Sequence, residues 1–193
     1  IQTFSQTILE TGIHGHESEI HNYLSRINKQ ATFMLSLLNE LLDVSQIESK
    51  KMTLNKKSEN IVQLVRDALD TNAAIAKTKG IIFSSSLPKE PLYEEVDHVK
   101  LEQALNNVLS NAIKYSKPNS KVHLTFAVGE RAYRIEIQDY GQGIRPENLK
   151  NVFVPFKTAG AKTTAGEKST GLGMFITKNI IEGQGGHVDI SSV

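Results

Sequence analysis

Asn107, Asn111 and Lys114 are spaced four and three positions apart. On a helix they fall within an arc of roughly 60°, beside an apolar stripe. Two carboxamides one turn apart, with an ammonium a further turn on, can hold a divalent cation and the phosphate oxygens it bridges. Taken alone, the same three residues also suit the solvated flank of an ordinary helix. A second group is Asp139-Tyr140-Gly141-Gln142-Gly143-Ile144. Strand alternation puts Asp139 on the face of Ile135 and Ile137, so its carboxylate is expected to point toward the core where the strand ends. An inward carboxylate needs a donor, and the exocyclic amine of a purine is one. Gly141 and Gly143 would let the backbone approach a flat ring; a simple Asx turn would use the same residues. The third group, Ser169-Thr170-Gly171-Leu172-Gly173-Met174, opens a helix whose unpaired N–H groups form an anion site. Lys157, Lys162 and Lys168 on the preceding loop would add positive charge, although a loop ending in a glycine-rich cap is the plainer account. Each group is ambiguous by itself, whereas their order and spacing together are specific.

The elements that must position these residues are legible in the apolar pattern. Asp97 can cap a helix in which Leu101, Ala104, Leu105, Val108, Leu109, Ala112 and Ile113 form one stripe. Val122, Leu124, Phe126 and Val128 alternate, as do Tyr133, Ile135 and Ile137, with Gly129-Glu130 as the turn between two strands. Ile61, Leu64, Val65, Ala68, Leu69, Ile75 and Ala76 predict a helix stopping at Gly80, followed by a short strand from Ile81. A lid-like stretch runs from Thr158 to Thr170, a helix starts near Gly171, and a strand is expected around His187–Ile190. This order predicts an α/β sandwich with helices on one face of a mixed sheet.

The N-terminal part differs. Ile20, Leu24, Ile27, Ala31, Met34, Leu38 and Leu41 follow one another at alternating steps of four and three, a heptad seam widened by Leu37, Leu42, Val44 and Ile47. Ile1, Phe4 and Ile8 repeat the pattern before a break at Thr11-Gly12-Ile13-His14-Gly15, which predicts a helical hairpin with a short and a long arm. Two helices with so wide an apolar face expose more than a lone hairpin covers, so a homodimer is expected; packing on the chain's own second half is the alternative.

Composition bounds the rest. With 193 residues, 39% hydrophobic and 22% charged, the chain can bury a core in one large domain or two small ones. A formal net charge of +1 gives no global field for nucleic acid. No apolar run approaches a membrane span, and the first residues show no charged segment followed by an apolar core, so no signal peptide is expected among them. The absence of Cys excludes thiolate catalysis and Cys-bound metal and fits a cytoplasmic location.

From Met52 to Val193 the chain resembles the ATP-binding catalytic domain of sensor histidine kinases, a Bergerat fold shared with gyrase, large heat-shock chaperones and mismatch-repair ATPases. Asn107 to Ser116 resembles the N box, Asp139 to Gly143 the first glycine box, Val152 to Phe156 the F box, and Gly171 to Gly173 the second glycine box. Tyr23 to Lys51 is similar to the second helix of the dimerisation and histidine-phosphotransfer hairpin. The resemblance implies an α+β chain with a dimeric four-helix bundle from two copies of residues 1–52, and an ATP-binding domain at 53–193. It implies that Asn111, assisted by Asn107, ligates Mg²⁺ on the ATP phosphates, with Lys114 near the phosphate oxygens. Tyr115 would lie near the base or ribose, and Asp139 would accept from the adenine amine. Gly141, Gly143, Ile144, Phe156, Lys157 and Thr170 would complete the nucleotide site with Gly171, Leu172, Gly173 and Met174. The γ-phosphoryl would pass to a His on the hairpin and then to an Asp of a response-regulator receiver. The segment Met52–Lys57 is the expected hinge.

One position separates branches of the family. Gyrase-like ATPases carry a water-activating Glu one turn before the metal-binding Asn; here Asn107 stands there, and an amide cannot take a proton from water at neutral pH. This favours a kinase over an ATPase. The departures concern the acceptor. No string of His, acidic residue, Arg or Lys, and Pro occurs, and His14, His16 and His21 do not continue that pattern. The acceptor His is therefore expected just upstream of Ile1, and a dimeric nucleotide-binding regulatory module without phosphotransfer is the alternative. Thr158 stands where a basic residue commonly follows the F box, with Lys157 adjacent. The family's glycine turn and last strand would fall beyond Val193.

Overall fold

A computed structural model describes Ser5, residues 17–158, Gly160, Thr163, Thr164, Glu167 and residues 169–192. It divides into two compact units, Ile1–Gln46 and Ile47–Val193.

Among the described residues the first unit is helix α1, Glu17–Glu48, which runs two residues past its boundary, together with Ser5. No Gly or Pro interrupts it, and its late Leu-rich turns favour a helix. Leu24, Met34, Leu35, Leu38, Leu41 and Leu42 are exposed along it, whereas Ile20, Ile27, Ala31, Leu37 and Ile47 are half-buried and Val44 is buried, so the heptad face is only partly covered. Lys50, in the left-handed region at φ 53°, ends the helix, its N–H donating to the Ile47 carbonyl at 3.0 Å. The expected short arm of the hairpin lies outside the described residues, apart from Ser5, which is helical.

The second unit runs β1 (Lys57–Asn60), α2 (Ile61–Thr78), β2 (Ile82–Ser86), β3 (Tyr93–Val96), α3 (His98–Tyr115), β4 (Lys121–Val128), β5 (Tyr133–Asp139), α4 (Pro146–Leu149) and α5 (Gly173–Gly183). The main sheet has the order β2-β4-β5, with β2 parallel and β5 antiparallel to β4. Leu124 and Phe126 of β4 are buried against Ile61, Leu64 and Val65 of α2 and Leu101, Leu105 and Leu109 of α3, and Val122 is buried with Ala76 of α2, Ile81, and Ala112 and Ile113 of α3. The expected sandwich is thus formed, with helices on one face of a mixed sheet.

Two features differ from expectation. Strands β1 and β3 form a separate antiparallel ladder that the sequence pattern does not announce, because Lys57-Ser58-Glu59-Asn60 opposite Tyr93-Glu94-Glu95-Val96 is mostly polar. Conversely, His187–Ile190 is not a strand. Its only half-buried residue is Val188, and the His187 and Asp189 side chains pair with each other at 3.1 Å. So little apolar burial does not offset the entropy of fixing a strand.

Asp97 is the joint of this unit. Its Oδ1 accepts from Lys100 N–H at 3.0 Å, capping α3, and its Oδ2 accepts from Asn55 N–H at 2.8 Å. Its own N–H donates to Gln184 Oε1 at 2.8 Å, just past α5. Burial pushes the Asp97 carboxyl up, but the Lys100 and Asn55 N–H groups, the Lys100 charge and the Val99 N–H outweigh it and hold it below the usual range. The Met52 and Leu54 side chains lie so near Gly183 that an added Cβ there would stand 3.3 and 3.2 Å from them. The segment expected to be a hinge is therefore tied to this unit at Asn55.

Candidate nucleotide site

Helix α3 carries the first group because Asp97 fixes its start and the apolar stripe fixes its rotation. Asn107, Asn111 and Lys114 are all half-buried beside that stripe. Asn107 Nδ2 donates to the Gly173 carbonyl at 3.3 Å, which joins the N box to the second glycine box. Among the described residues no hydrogen bond engages the Asn111 side chain, so its amide oxygen is available to a cation. Tyr115 Oη donates to Ser169 Oγ at 3.4 Å.

Asp139 takes the expected face of β5, opposite buried Val122 as Ile137 is opposite Leu124, but it is not drawn into the core. It is exposed, at the end of β5, and its Oδ1 accepts from Gly141 N–H at 2.9 Å. The Asx turn therefore forms, and among the described residues Oδ2 takes no donor, leaving one oxygen for a ligand. Gly141 is needed for packing: a Cβ there would stand 2.5 Å from the Tyr115 carbonyl oxygen. Gly143 adopts φ 70°, and half-buried Ile144 donates its N–H to Ser192 Oγ at 2.7 Å.

The F box and second glycine box are fitted to each other. Phe156 N–H donates to the Gly171 carbonyl at 3.0 Å, and Gly171, at φ 74°, has no room for a Cβ beside the Phe156 carbonyl carbon. The Phe156 side chain is 62% exposed. Lys157 is also exposed, its Nζ 3.3 Å from Asn151 Oδ1. Thr170 Oγ1 accepts from Leu172 N–H at 3.3 Å, the Leu172 carbonyl accepts from Ile176 N–H at 3.0 Å, and Leu172 is fully buried, so it anchors the start of α5 by packing. No side chain caps α5, which leaves the amides of Gly173, Met174 and Phe175 in its first turn for an anion. Lys162 and Lys168 lie outside the described residues.

Residues 96–193 match the family model for histidine kinase-, DNA gyrase B- and HSP90-like ATPases, just over half of the chain. The chain belongs to this family. The sensor protein SrrB of Staphylococcus aureus is 31% identical over 192 residues, all of this chain and 33% of that protein. The chain thus spans about a third of the curated relatives it matches. Among solved structures, the histidine kinase AdeS of Acinetobacter baumannii superposes with a TM-score of 0.70 at 23% identity, covering 94% of this chain and 81% of AdeS. The histidine kinase ThkA in complex with the response regulator TrrA gives a TM-score of 0.61 at 20% identity, over 95% of this chain and 51% of ThkA. These matches share both the N-terminal helix and the α/β domain.

Family membership makes this an ATP-binding domain. Sequence reasoning missed two of the residues that assemble the site. Lys79 is buried after α2 and donates to the Ile113 and Lys114 carbonyls, and Thr164 reaches the Lys114 and Ser116 carbonyls. A Lys closing a helix is so common that the only signal was its place before Gly80. A separate cleft lined by Arg66, Asp70, Phe83 and Leu87 shares no residue with the four boxes.

Proposed function

We propose that this chain is the core of a sensor histidine kinase, binding Mg·ATP and passing its γ-phosphoryl to a His imidazole on a dimeric helical hairpin. The observation that carries this reading is the placement of Asn107 and Asn111. Asn107 stands where a hydrolase would need a base, and its amide is spent on the Gly173 carbonyl. A site that holds ATP without activating water keeps the phosphoryl group for another acceptor. In that transfer an imidazole nitrogen forms the new P–N bond while the bond to the β-phosphate oxygen breaks, and ADP leaves.

The donor set fits Mg²⁺. Among the described residues no three His, Cys, Asp or Glu side chains converge on a metal site. The ion would be held by the Asn111 amide oxygen, with Asn107 alongside and substrate phosphates supplying the rest, as suits a cation that keeps few protein ligands. When bound, it would neutralise phosphate charge as the transfer proceeds. The free amides of α5 would take the phosphates, and Asp139 Oδ2 would accept from the adenine amine. Lys114, Tyr115, Gly143, Ile144, Phe156, Lys157, Thr170 and Met174 would border the nucleotide. By analogy with the relatives, α1 would form the homodimer and present the hairpin to a receiver domain whose Asp takes the phosphoryl. In α1 and the other described helices no segment is long and apolar enough to cross a membrane.

The test is calorimetric titration with Mg·ATP. Binding without rapid phosphate release is expected, and Asn111→Ala should abolish it while leaving the dimer intact. Unchanged affinity in that variant would sink the assignment, and fast steady phosphate release would revive a hydrolase.

A further inference from the structure

The described part of the loop between the F box and the second glycine box is attached to the fold through one buried ammonium. The Lys79 side chain is only 8% exposed. Its Nζ donates to the Ile113 carbonyl at 2.8 Å, the Lys114 carbonyl at 2.9 Å and Glu167 Oε1 at 2.9 Å. Those carbonyls belong to the last turn of α3, which has no intrahelical donors for them and where the helix dipole favours a cation. The Lys114 carbonyl also accepts from Thr164 N–H at 3.1 Å, and the Thr164 hydroxyl reaches the Ser116 carbonyl at 2.7 Å. The Glu167 carbonyl accepts from Thr163 Oγ1 at 2.8 Å. Three stretches of chain therefore meet at one charge: the end of α2, the end of the helix bearing Asn111 and Lys114, and the loop that leads through Ser169 to Gly171.

We infer that the Lys79–Glu167 pair is a latch that positions this loop for the phosphate end of the nucleotide, acting through the end of α3 without touching the ligand. The inference rests on the nucleotide-site reading above. The described loop residues Gly160, Thr163, Thr164 and Glu167 bring no apolar side chain to hold them, so the entropy of fixing them would otherwise fall on ligand binding. A carboxylate on an ammonium that is nearly out of water offsets that cost beforehand, and removing either partner leaves a poorly solvated charge behind. The adenine end, at Asp139, meets the end of α3 only through backbone, Gly141 packing on the Tyr115 carbonyl and bridging Ser116, and neither Lys79 nor Glu167 bonds to it.

The test uses Glu167→Gln, which keeps the shape and loses the charge, with Lys79→Met and the double variant. Two readouts are taken: amide hydrogen exchange at Thr164 in the free protein, and affinity for Mg·ATP compared with adenosine. Faster exchange at Thr164 is expected in each single variant. Mg·ATP affinity should fall about tenfold, the equivalent of about 1.4 kcal/mol, with adenosine affinity unchanged and the double variant no worse than the weaker single. Unchanged exchange, or equal losses for both ligands, would overturn the latch. If Lys79→Met does not fold, Glu167→Gln decides alone. A wild-type protein that binds neither ligand would refute the nucleotide site, and the exchange readout would still judge the latch.

Discussion

Helices α1 and α3 carry apolar residues at the same alternating spacing and meet opposite fates. In α3 the stripe from Leu101 to Ile113 is buried against α2 and the sheet. In α1 Leu24, Met34, Leu35, Leu38, Leu41 and Leu42 stay exposed in the single chain, with Ile27 and Leu37 half-buried among them. Periodicity therefore specifies that a face is apolar, and leaves open whether the same chain or a second copy covers it. Their ends differ in the same sense: α3 is capped by Asp97 and closed by Lys79, whereas α1 ends on a left-handed Lys50.

The largest effect should come from the covered helix. Leu109→Ala removes a fully buried side chain and should cost about 3 kcal/mol, measured by denaturant unfolding. Leu38→Ala in α1 should leave the unfolding of the second unit unchanged and weaken dimerisation by roughly tenfold, read by analytical ultracentrifugation. Equal effects of both on unfolding would mean that α1 packs on its own chain. Next, Asp97→Asn keeps a capping oxygen but loses charge, and should cost about 1 kcal/mol at neutral pH. The wild-type carboxyl is held below its usual range. The stability it adds is therefore complete above about pH 4, the ordinary carboxyl range, and is lost as pH falls through the lower folded value. The difference between wild type and variant should shrink in that acid window. The smallest change, Lys50→Gly, should stabilise α1 by about 1 kcal/mol, because glycine adopts φ 53° without a Cβ penalty; helicity on heating would report it.

Much of the fold was readable because its signals are apolar. The alternation of β4 and β5, the stripe of α3 and the Asp97 cap each state an element and its inward face. The β1–β3 ladder was not readable, since Glu59 opposite Glu94 offers backbone pairing with no apolar alternation. The expected strand at His187–Ile190 misled because Val188 and Ile190 alternate without a surface to cover. At the site, residue types were legible while their partners were not. Asn107 and Gly173 were both named, but only the fold brings the amide of one to the carbonyl of the other. Asp139 does take the inward face of β5, opposite Val122, but alternation could not tell that it stays exposed and closes a turn on Gly141. Lys79 escaped notice because a buried cation needs partners distant in sequence, and no local pattern reveals Glu167.

Gly141 and Gly171 have a consequence for genetics. Both stand in boxes that ligand contact would explain, yet the space each lacks is taken by backbone, the Tyr115 carbonyl at one and Phe156 at the other. A random-mutagenesis screen for lost ATP binding would recover alleles at both alongside those at Asn111. The glycine alleles should fail through low protein abundance and should lose function more severely at higher growth temperature. Alleles of Asn111 should accumulate normally and stay null at every temperature, so an abundance assay run beside the screen would sort the scaffold from the ligand-binding groups.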